Sequence, residues 1–160
     1  MPFVSKLPSG PVVLDRAAIL RLIPHQGRMC LLERVAGWDA ARVRCLTRSH
    51  LDPANPLRRH GVLPAVAGIE YGLQAAALHG ALIDGEPTPP GLLASLRAAR
   101  FACARLDEAA IGTMSVTAQL LAGDARAMRY EFTLLAEDGR TLASGEALIA
   151  FAAPGGTGGG

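Results

Sequence analysis

The stretch VLPAVAGIEYGLQAAALHGALI, from Val62 to Ile83, decides the fold of this chain because it predicts one long buried helix. Glu70 is the only residue in it with a charged side chain. A carboxylate that is buried without partners costs several kcal/mol, so Glu70 has to be paired, hydrogen-bonded or neutralised. Burial is also expected to raise the pKa of this carboxyl toward the proton-donating form. Glu70 is therefore the first candidate for a functional residue.

The start of the helix is a second candidate feature. Pro64 suits the first helical position, and residues 61–63 offer no side-chain oxygen that could cap the free N–H groups. Open N–H groups at a helix N-terminus favour negative charge, including the charge that develops on a reacting carbonyl oxygen. The sequence therefore predicts an oxyanion-binding site about a turn and a half from Glu70.

Extended segments flank the helix on both sides. A hairpin that turns near residues 38–41 precedes it, and the last segment after it is split by a turn at residues 137–140. The segments after the helix are residues 92–106, 112–123 and 127–151. We expect about four strands here, in an antiparallel meander. The sheet has to bury one face, and the long helix is the only large apolar element available. The pattern predicts an α+β fold in which a curved sheet wraps a helix kept thin by Gly68, Gly72 and Gly80.

Length and composition limit the possible classes of protein. The 160 residues suit one domain, which we assign to residues 1–152, with residues 153–160, APGGTGGG, as a disordered glycine-rich tail. The formal charge of +2 is too balanced for a dedicated nucleic-acid binder. Three widely spaced cysteines and an N-terminus interrupted by proline predict a cytoplasmic protein without a membrane span.

Four histidines are candidate partners for Glu70, because histidine titrates near neutral pH and suits proton transfer. His25 and His60 lie outside the helix, the latter just ahead of it. His79 lies nine residues after Glu70 and half a turn out of phase, so it is interpreted as a core residue, and His50 is interpreted as a surface residue. The spacings of His, Cys, Asp and Glu match no metal site, so no metal is expected.

Two motifs resemble the β-hydroxyacyl-acyl-carrier-protein dehydratases of the hotdog fold. The stretch IPHQGRMCLLERV, residues 23–35, is similar to the opening motif of that family, and LPAVAGIEYGLQAAA, residues 63–77, is similar to its central helix. Glu70 takes the position of the catalytic acid. The smaller branch of the family, associated with aryl-polyene-type lipid pathways, is the most similar. The resemblance extends over about residues 15–151, and the C-terminal strands match in pattern alone.

The chain departs from the main family in two places. The main family carries its catalytic histidine in a Gly-His-Phe-Pro-Gly loop fourteen residues before the acid, where this chain has Pro56. His25, which matches another histidine of the family, and His60, ten residues before Glu70, are therefore both candidates for the base. Ala65 replaces the family's glycine after the helix-starting proline.

The resemblance implies a dehydratase of lipid synthesis. A histidine would remove the α-proton of a 3-hydroxyacyl thioester, Glu70 would protonate the leaving hydroxyl, and helix N–H groups would hold the thioester oxygen. The predicted substrate-binding residues are Pro64, Ala65, Gly68 and Gln74 at the helix, together with Arg58 and Arg59, two basic residues in the loop before it that would contact the acidic carrier protein. No cofactor is implied. The expected partners are acyl carrier protein with its acyl-phosphopantetheine arm and a second hotdog protomer, in a homodimer or a heterodimer.

Two other functions fit the same sequence. The first is an acyl thioesterase, because the hotdog fold also hosts thioester hydrolysis and a fold does not fix a reaction. The second is a non-catalytic subunit that pairs with a catalytic homologue, which Pro56 at the family's histidine position favours.

Overall fold

The structure is a computed structural model that describes residues 13–151, and it places one long helix against one six-stranded antiparallel sheet. The helices are α1 (Arg16–Leu22) and α2 (Gly68–Asp84), and the strands are β1 (Arg34–Trp38), β2 (Arg42–Thr47), β3 (Gly91–Phe101), β4 (Met114–Gly123), β5 (Ala127–Leu135) and β6 (Thr141–Phe151). The predicted α+β architecture is confirmed. The predicted tail at residues 153–160 lies outside the described residues. No helix within the described part of the chain is long and apolar enough to cross a membrane.

Two glycines on α2 account for its close contact with the sheet. A methyl group on Gly72 would overlap the ring of Phe132 on β5, and one on Gly68 would lie 3.1 Å from Leu134 on the same strand. Side chains larger than hydrogen would push the helix away from the sheet at both positions. The prediction that Gly68 and Gly72 serve close packing is therefore confirmed.

The sheet order is β1-β2-β4-β5-β6-β3, with every pair antiparallel. β4, β5 and β6 form the predicted meander, but β3 pairs with β6 and not with β4, so the expectation of one meander after the helix is wrong. The physical reason lies in the segment that follows β3. It binds the residues just before α2, because Ala65 N–H donates to the carbonyl of Ala104 and Leu106 N–H donates to the carbonyl of Leu63. The chain therefore passes the N-terminal end of the helix before β4 begins.

β3 is an open edge of the sheet. It has 11 residues, β6 is its only neighbour within residues 13–151, and most of its length is exposed. Leu92 is 77% exposed and Phe101 is 41% exposed. A long exposed edge strand with apolar side chains is a template for pairing with another chain.

Candidate active site

His25 and Glu70 form the centre of the candidate site. Pro24 follows the end of α1, and the imidazole of the next residue, His25, lies against α2 with its Nε2 atom 3.1 Å from Oε1 of Glu70. The two side chains are 27% and 30% exposed. Glu70 is paired, as its place in the predicted buried helix requires, but it is only partly buried because its stripe of α2 faces a cavity and not the sheet. The structure thus brings together two residues that lie 45 positions apart in the sequence.

The environment of Glu70 keeps its carboxyl ionised. The hydrogen bond from His25 lowers the pKa of Glu70 most, and the bond from Gln74 Nε2 to Oε1, at 3.3 Å, also lowers it, while burial acts in the opposite direction. The pKa lies below the ordinary value, so the expected rise is wrong. Both hydrogen bonds meet Oε1, and Oε2 accepts none from the residues that the structure describes. Glu70 is therefore a carboxylate with one oxygen available to a ligand.

Gln74 joins the helix to the segment that follows His25. Its side chain is fully buried, its Oε1 accepts from the N–H of Leu31 at 2.9 Å, and its Nε2 donates to the carbonyl of Met29 at 2.7 Å. Protein groups occupy both ends of the amide, and Gln74, predicted as a substrate-binding residue, is not among the residues that line the cavity. It instead positions Glu70 and the 29–31 segment relative to each other.

A cavity of about 1270 Å³ opens beside the His25–Glu70 pair and runs along α2. Its wall on the helix includes Leu73, Ala77, Gly80 and Asp84, which follow Glu70 at alternating spacings of three and four and so share one face. The 14 residues from Glu70 to Asp84 correspond to roughly 21 Å along the helix axis. The opposite wall comes mainly from apolar residues, at positions 89–93, 120, 128, 149 and 151. The site is therefore an acid–base pair at one end of a long, mostly apolar cavity.

His60 does not reach this cavity. It is exposed at the tip of a tight turn that is closed by two hydrogen bonds between Arg59 and Val62, of 2.8 and 3.0 Å. His60 and Gly61 have φ values of 52° and 78°, which the two central residues of a type I′ turn require. This backbone explains the glycine, and it places His60 outside the residues that line the cavity.

The start of α2 differs from the predicted oxyanion site. A 3-10 turn at Ala65–Ala67 precedes α2, and the N–H of Ala65 donates to the carbonyl of Ala104 at 3.1 Å. This donor, predicted to be open, is therefore occupied. Gly68 is buried against the sheet, and Pro64 and Ala65 are not among the cavity-lining residues. The structure places these three predicted substrate contacts outside the cavity.

Arg58 is held within the protomer. Its side chain bonds the carboxylate of Asp107 at 3.1 Å and the carbonyls of Asp52 and Gly61 at 2.9 and 3.0 Å. Asp107 also binds Arg105, and the hydrogen bond from Arg105 lowers the pKa of that carboxyl well below its usual range. Arg58 therefore holds the loop before α2 through contacts within the protomer. Arg59 is exposed, and the only bond of its side chain among the described residues goes to the carbonyl of Arg58.

The two other histidines are buried. His79 bonds Tyr130 Oη at 2.9 Å and donates from Nε2 to the carbonyl of Asp39 at 2.8 Å, which confirms its predicted core position. The prediction that His50 is a surface residue is wrong, because it is fully buried and its Nε2 lies 2.9 Å from the carbonyl of Gly112. Burial lowers the pKa of both imidazoles.

Sequence reasoning did not find the far walls of the cavity. Met128, Tyr130 and Ile149 are apolar or aromatic strand residues, and such residues have the same alternating pattern whether they line a cavity or fill a core. Their role depends on how far the sheet stands from α2, which no local motif specifies.

A long helix wrapped by an antiparallel sheet defines a hotdog-fold protein, and the His–Glu pair at the apolar cavity beside the helix is its candidate active site. Solved structures confirm the fold. The dehydratase heterocomplex ApeI:P from Xenorhabdus doucetiae matches with a TM-score of 0.72 and 22% identity over 85% of this chain and 91% of that chain. A mutant of thioesterase PA1618 from Pseudomonas aeruginosa matches with a TM-score of 0.53 and 11% identity over 73% and 78% of the two chains. The PaaI protein from the phenylacetic acid degradation operon of E. coli matches with a TM-score of 0.54 and 13% identity over 73% and 81%.

The match to a protein family is more specific than the match to a fold. The family model for the ApeP-like dehydratases matches residues 17–153, so this chain belongs to the ApeP-like dehydratase family. The resemblance predicted from the two motifs is confirmed. No functionally curated protein matches the sequence.

Proposed function

We propose that this protein dehydrates a 3-hydroxyacyl thioester, carried on acyl carrier protein, to the 2-enoyl thioester in fatty-acid or polyene-lipid synthesis. The observation that carries the proposal is the 3.1 Å contact between Nε2 of His25 and Oε1 of Glu70 at one end of the apolar cavity. Elimination of water needs a base for the α-proton and an acid for the β-hydroxyl on the same side of the substrate. Membership in the ApeP-like dehydratase family supports this reaction class.

The protonation of the pair suggests the route of the proton. A carboxylate only accepts hydrogen bonds, so Nε2 of His25 carries the proton in this contact. Nδ1 of His25 is buried without a hydrogen-bond partner among the described residues and is closed to substrate. Oε2 of Glu70 then takes the α-proton, and the resulting carboxylic acid gives that proton to the β-hydroxyl, which leaves as water. His25 and His60 were both candidates for the base; in this proposal His25 instead orients Glu70 and keeps it ionised.

A partner protomer and a carrier protein complete the proposal. The exposed edge of β3 supports pairing with a second hotdog protomer, and the similar Xenorhabdus protein is described as a heterocomplex. We assign the partner as a hotdog protomer, identical or homologous. Arg59 is an exposed cation in the loop before α2 and is our candidate contact for the acidic carrier protein. The cytoplasmic location stays a prediction.

Hydrolysis of the thioester is a second candidate function. The low pKa of Glu70 favours it, because an ionised carboxylate can activate water for attack on a thioester. The thioesterases among the similar structures share the fold at 11 to 15% identity, which does not extend to the reaction.

One assay separates the candidate functions. The purified chain is incubated with 3-hydroxyacyl and 2-enoyl thioesters while enoyl absorbance and free thiol are followed together. Dehydration changes the absorbance without releasing thiol, and a thioesterase releases thiol. If neither signal changes for the isolated chain or for the chain together with a hotdog homologue, the proposed function is wrong.

A further inference from the structure

The three glycines of α2 do not have the same explanation. Gly68 and Gly72 are required by packing, because added methyl groups would crowd Leu134 and Phe132. A methyl group on Gly80 would lie 3.7 Å from Thr88 Oγ1 and 3.9 Å from Met128 Sδ, which are ordinary contact distances. The backbone at Gly80 is helical, and glycine is among the least favourable residues in a helix interior. Neither packing nor backbone conformation therefore accounts for glycine at this position.

The position of Gly80 in the cavity gives a different explanation. Gly80 lines the same cavity as Glu70 and shares its stripe of α2, ten residues further along. This separation corresponds to roughly 15 Å along the helix axis. The cavity continues past Gly80 to Ile83 and Asp84. A chain that starts at Glu70 and follows the helix therefore has to pass Gly80 to occupy the distal half.

Two residues, Thr88 and Met128, face Gly80 across the cavity, and the first of them is held in place by hydrogen bonds. Thr88 donates its N–H to the carbonyl of Leu22 and its hydroxyl to the carbonyl of Ala77, so the loop that carries it is tied to both helices. Met128, on β5, is the second residue near Gly80, and its side chain is flexible. Long side chains on a helix lean toward its N-terminus, so a leucine at position 80 would extend toward Ala77 and Glu70. It would narrow the cavity at its midpoint.

We infer that Gly80 sets the length of acyl chain that the site accepts, and that the site takes 3-hydroxyacyl thioesters long enough for their distal carbons to pass Gly80. The inference rests on the proposed dehydration for the position of the thioester beside Glu70. Each methylene that the cavity buries is expected to improve binding by roughly threefold to fourfold, up to the length that fills the cavity.

The test is a chain-length series. Wild type, Gly80→Ala and Gly80→Leu are assayed with 3-hydroxybutyryl, 3-hydroxyoctanoyl, 3-hydroxydodecanoyl and 3-hydroxyhexadecanoyl carrier protein. We expect Gly80→Leu to keep kcat/KM for the butyryl substrate within about twofold and to lose at least tenfold for the hexadecanoyl substrate. Gly80→Ala, whose methyl group fits, should stay within threefold at every length. Met128→Trp narrows the same point from the opposite wall and should give the same dependence on length.

Two results would overturn the inference. One is an equal loss of kcat/KM at all chain lengths in folded Gly80→Leu and Met128→Trp, which would show that these residues support the fold or the reaction and not chain-length selection. The other is no loss at any length. Dissociation constants for unreactive acyl-pantetheine amides of the same lengths repeat the test without turnover. If the wild type binds but does not dehydrate, the proposed function fails, while the dependence of binding on length still decides the role of Gly80.

Discussion

Replacement of Gln74 by leucine tests how the site is held together. Leucine is similar in size and apolar, but it leaves the buried N–H of Leu31 and the carbonyl of Met29 without their partner. Each unsatisfied buried group costs about 1 to 3 kcal/mol, so the loss of both partners is expected to lower the free energy of unfolding by about 2 to 6 kcal/mol. The segment after His25 is then no longer tied to α2, and we expect kcat to fall more than KM rises.

Gln74→Glu is the matched variant. Its carboxylate can still accept from Leu31 but does not donate to Met29 or to Glu70, and its charge raises the pKa of Glu70. A reaction that needs ionised Glu70 loses rate as the pH falls through that pKa, so the acid limb of the pH–rate profile should move to higher pH. Urea unfolding and pH–rate profiles measure both effects. Unchanged stability in Gln74→Leu, together with an unmoved acid limb in Gln74→Glu, would refute the role of Gln74 as a positioning residue.

Three further predictions concern packing, protonation and partner binding. Gly72→Ala should lower the free energy of unfolding by about 1 to 3 kcal/mol, because the added methyl group overpacks the contact with the sheet. Gly80→Ala should leave the free energy of unfolding unchanged or raise it by up to about 1 kcal/mol. Equal effects of the two variants in thermal unfolding would contradict the packing argument. His25→Ala removes the main cause of the low pKa of Glu70, so the acid limb of its residual activity should shift to higher pH, and a shift to lower pH would contradict the assignment. Arg59→Glu should raise KM for a carrier-bound substrate, with a smaller effect at high salt, and should leave KM for a carrier-free thioester unchanged. An equal change in KM for both substrates would show that Arg59 does not contact the carrier protein.

The helix and the strands could be predicted because their signals are local. The apolar run that contains Glu70, the breakers around it and the alternating strands each specify one element. The position of β3 could not be predicted, because it depends on where the segment after β3 binds. That segment binds the residues just before α2 through hydrogen bonds between backbone groups far apart in the chain, and every residue type carries these groups, so the sequence does not indicate the contact.

The candidate site could be predicted in part. His25 and Glu70 were found through two motifs, and the structure places them in contact. The pKa of Glu70 was predicted to rise, and the structure lowers it. The apolar residues around Glu70 in the sequence do not show which side chains from other parts of the chain donate hydrogen bonds to it. The role of Gln74 also depends on partners more than 40 positions away. Gly80 has the same local sequence character as Gly72, and only the neighbours across the cavity separate the two.

The rate of enoyl formation by Glu70→Gln tests the central claim most directly. Glutamine keeps the size of glutamate and can still hydrogen-bond, but it cannot carry a proton from the α-carbon to the β-hydroxyl. With 3-hydroxyacyl carrier protein as substrate and circular dichroism to verify the fold, we expect the rate to fall about 10²- to 10⁴-fold below that of the wild type. A rate within twofold of the wild type would show that Glu70 is structural and that the His25–Glu70 pair is not the catalytic centre.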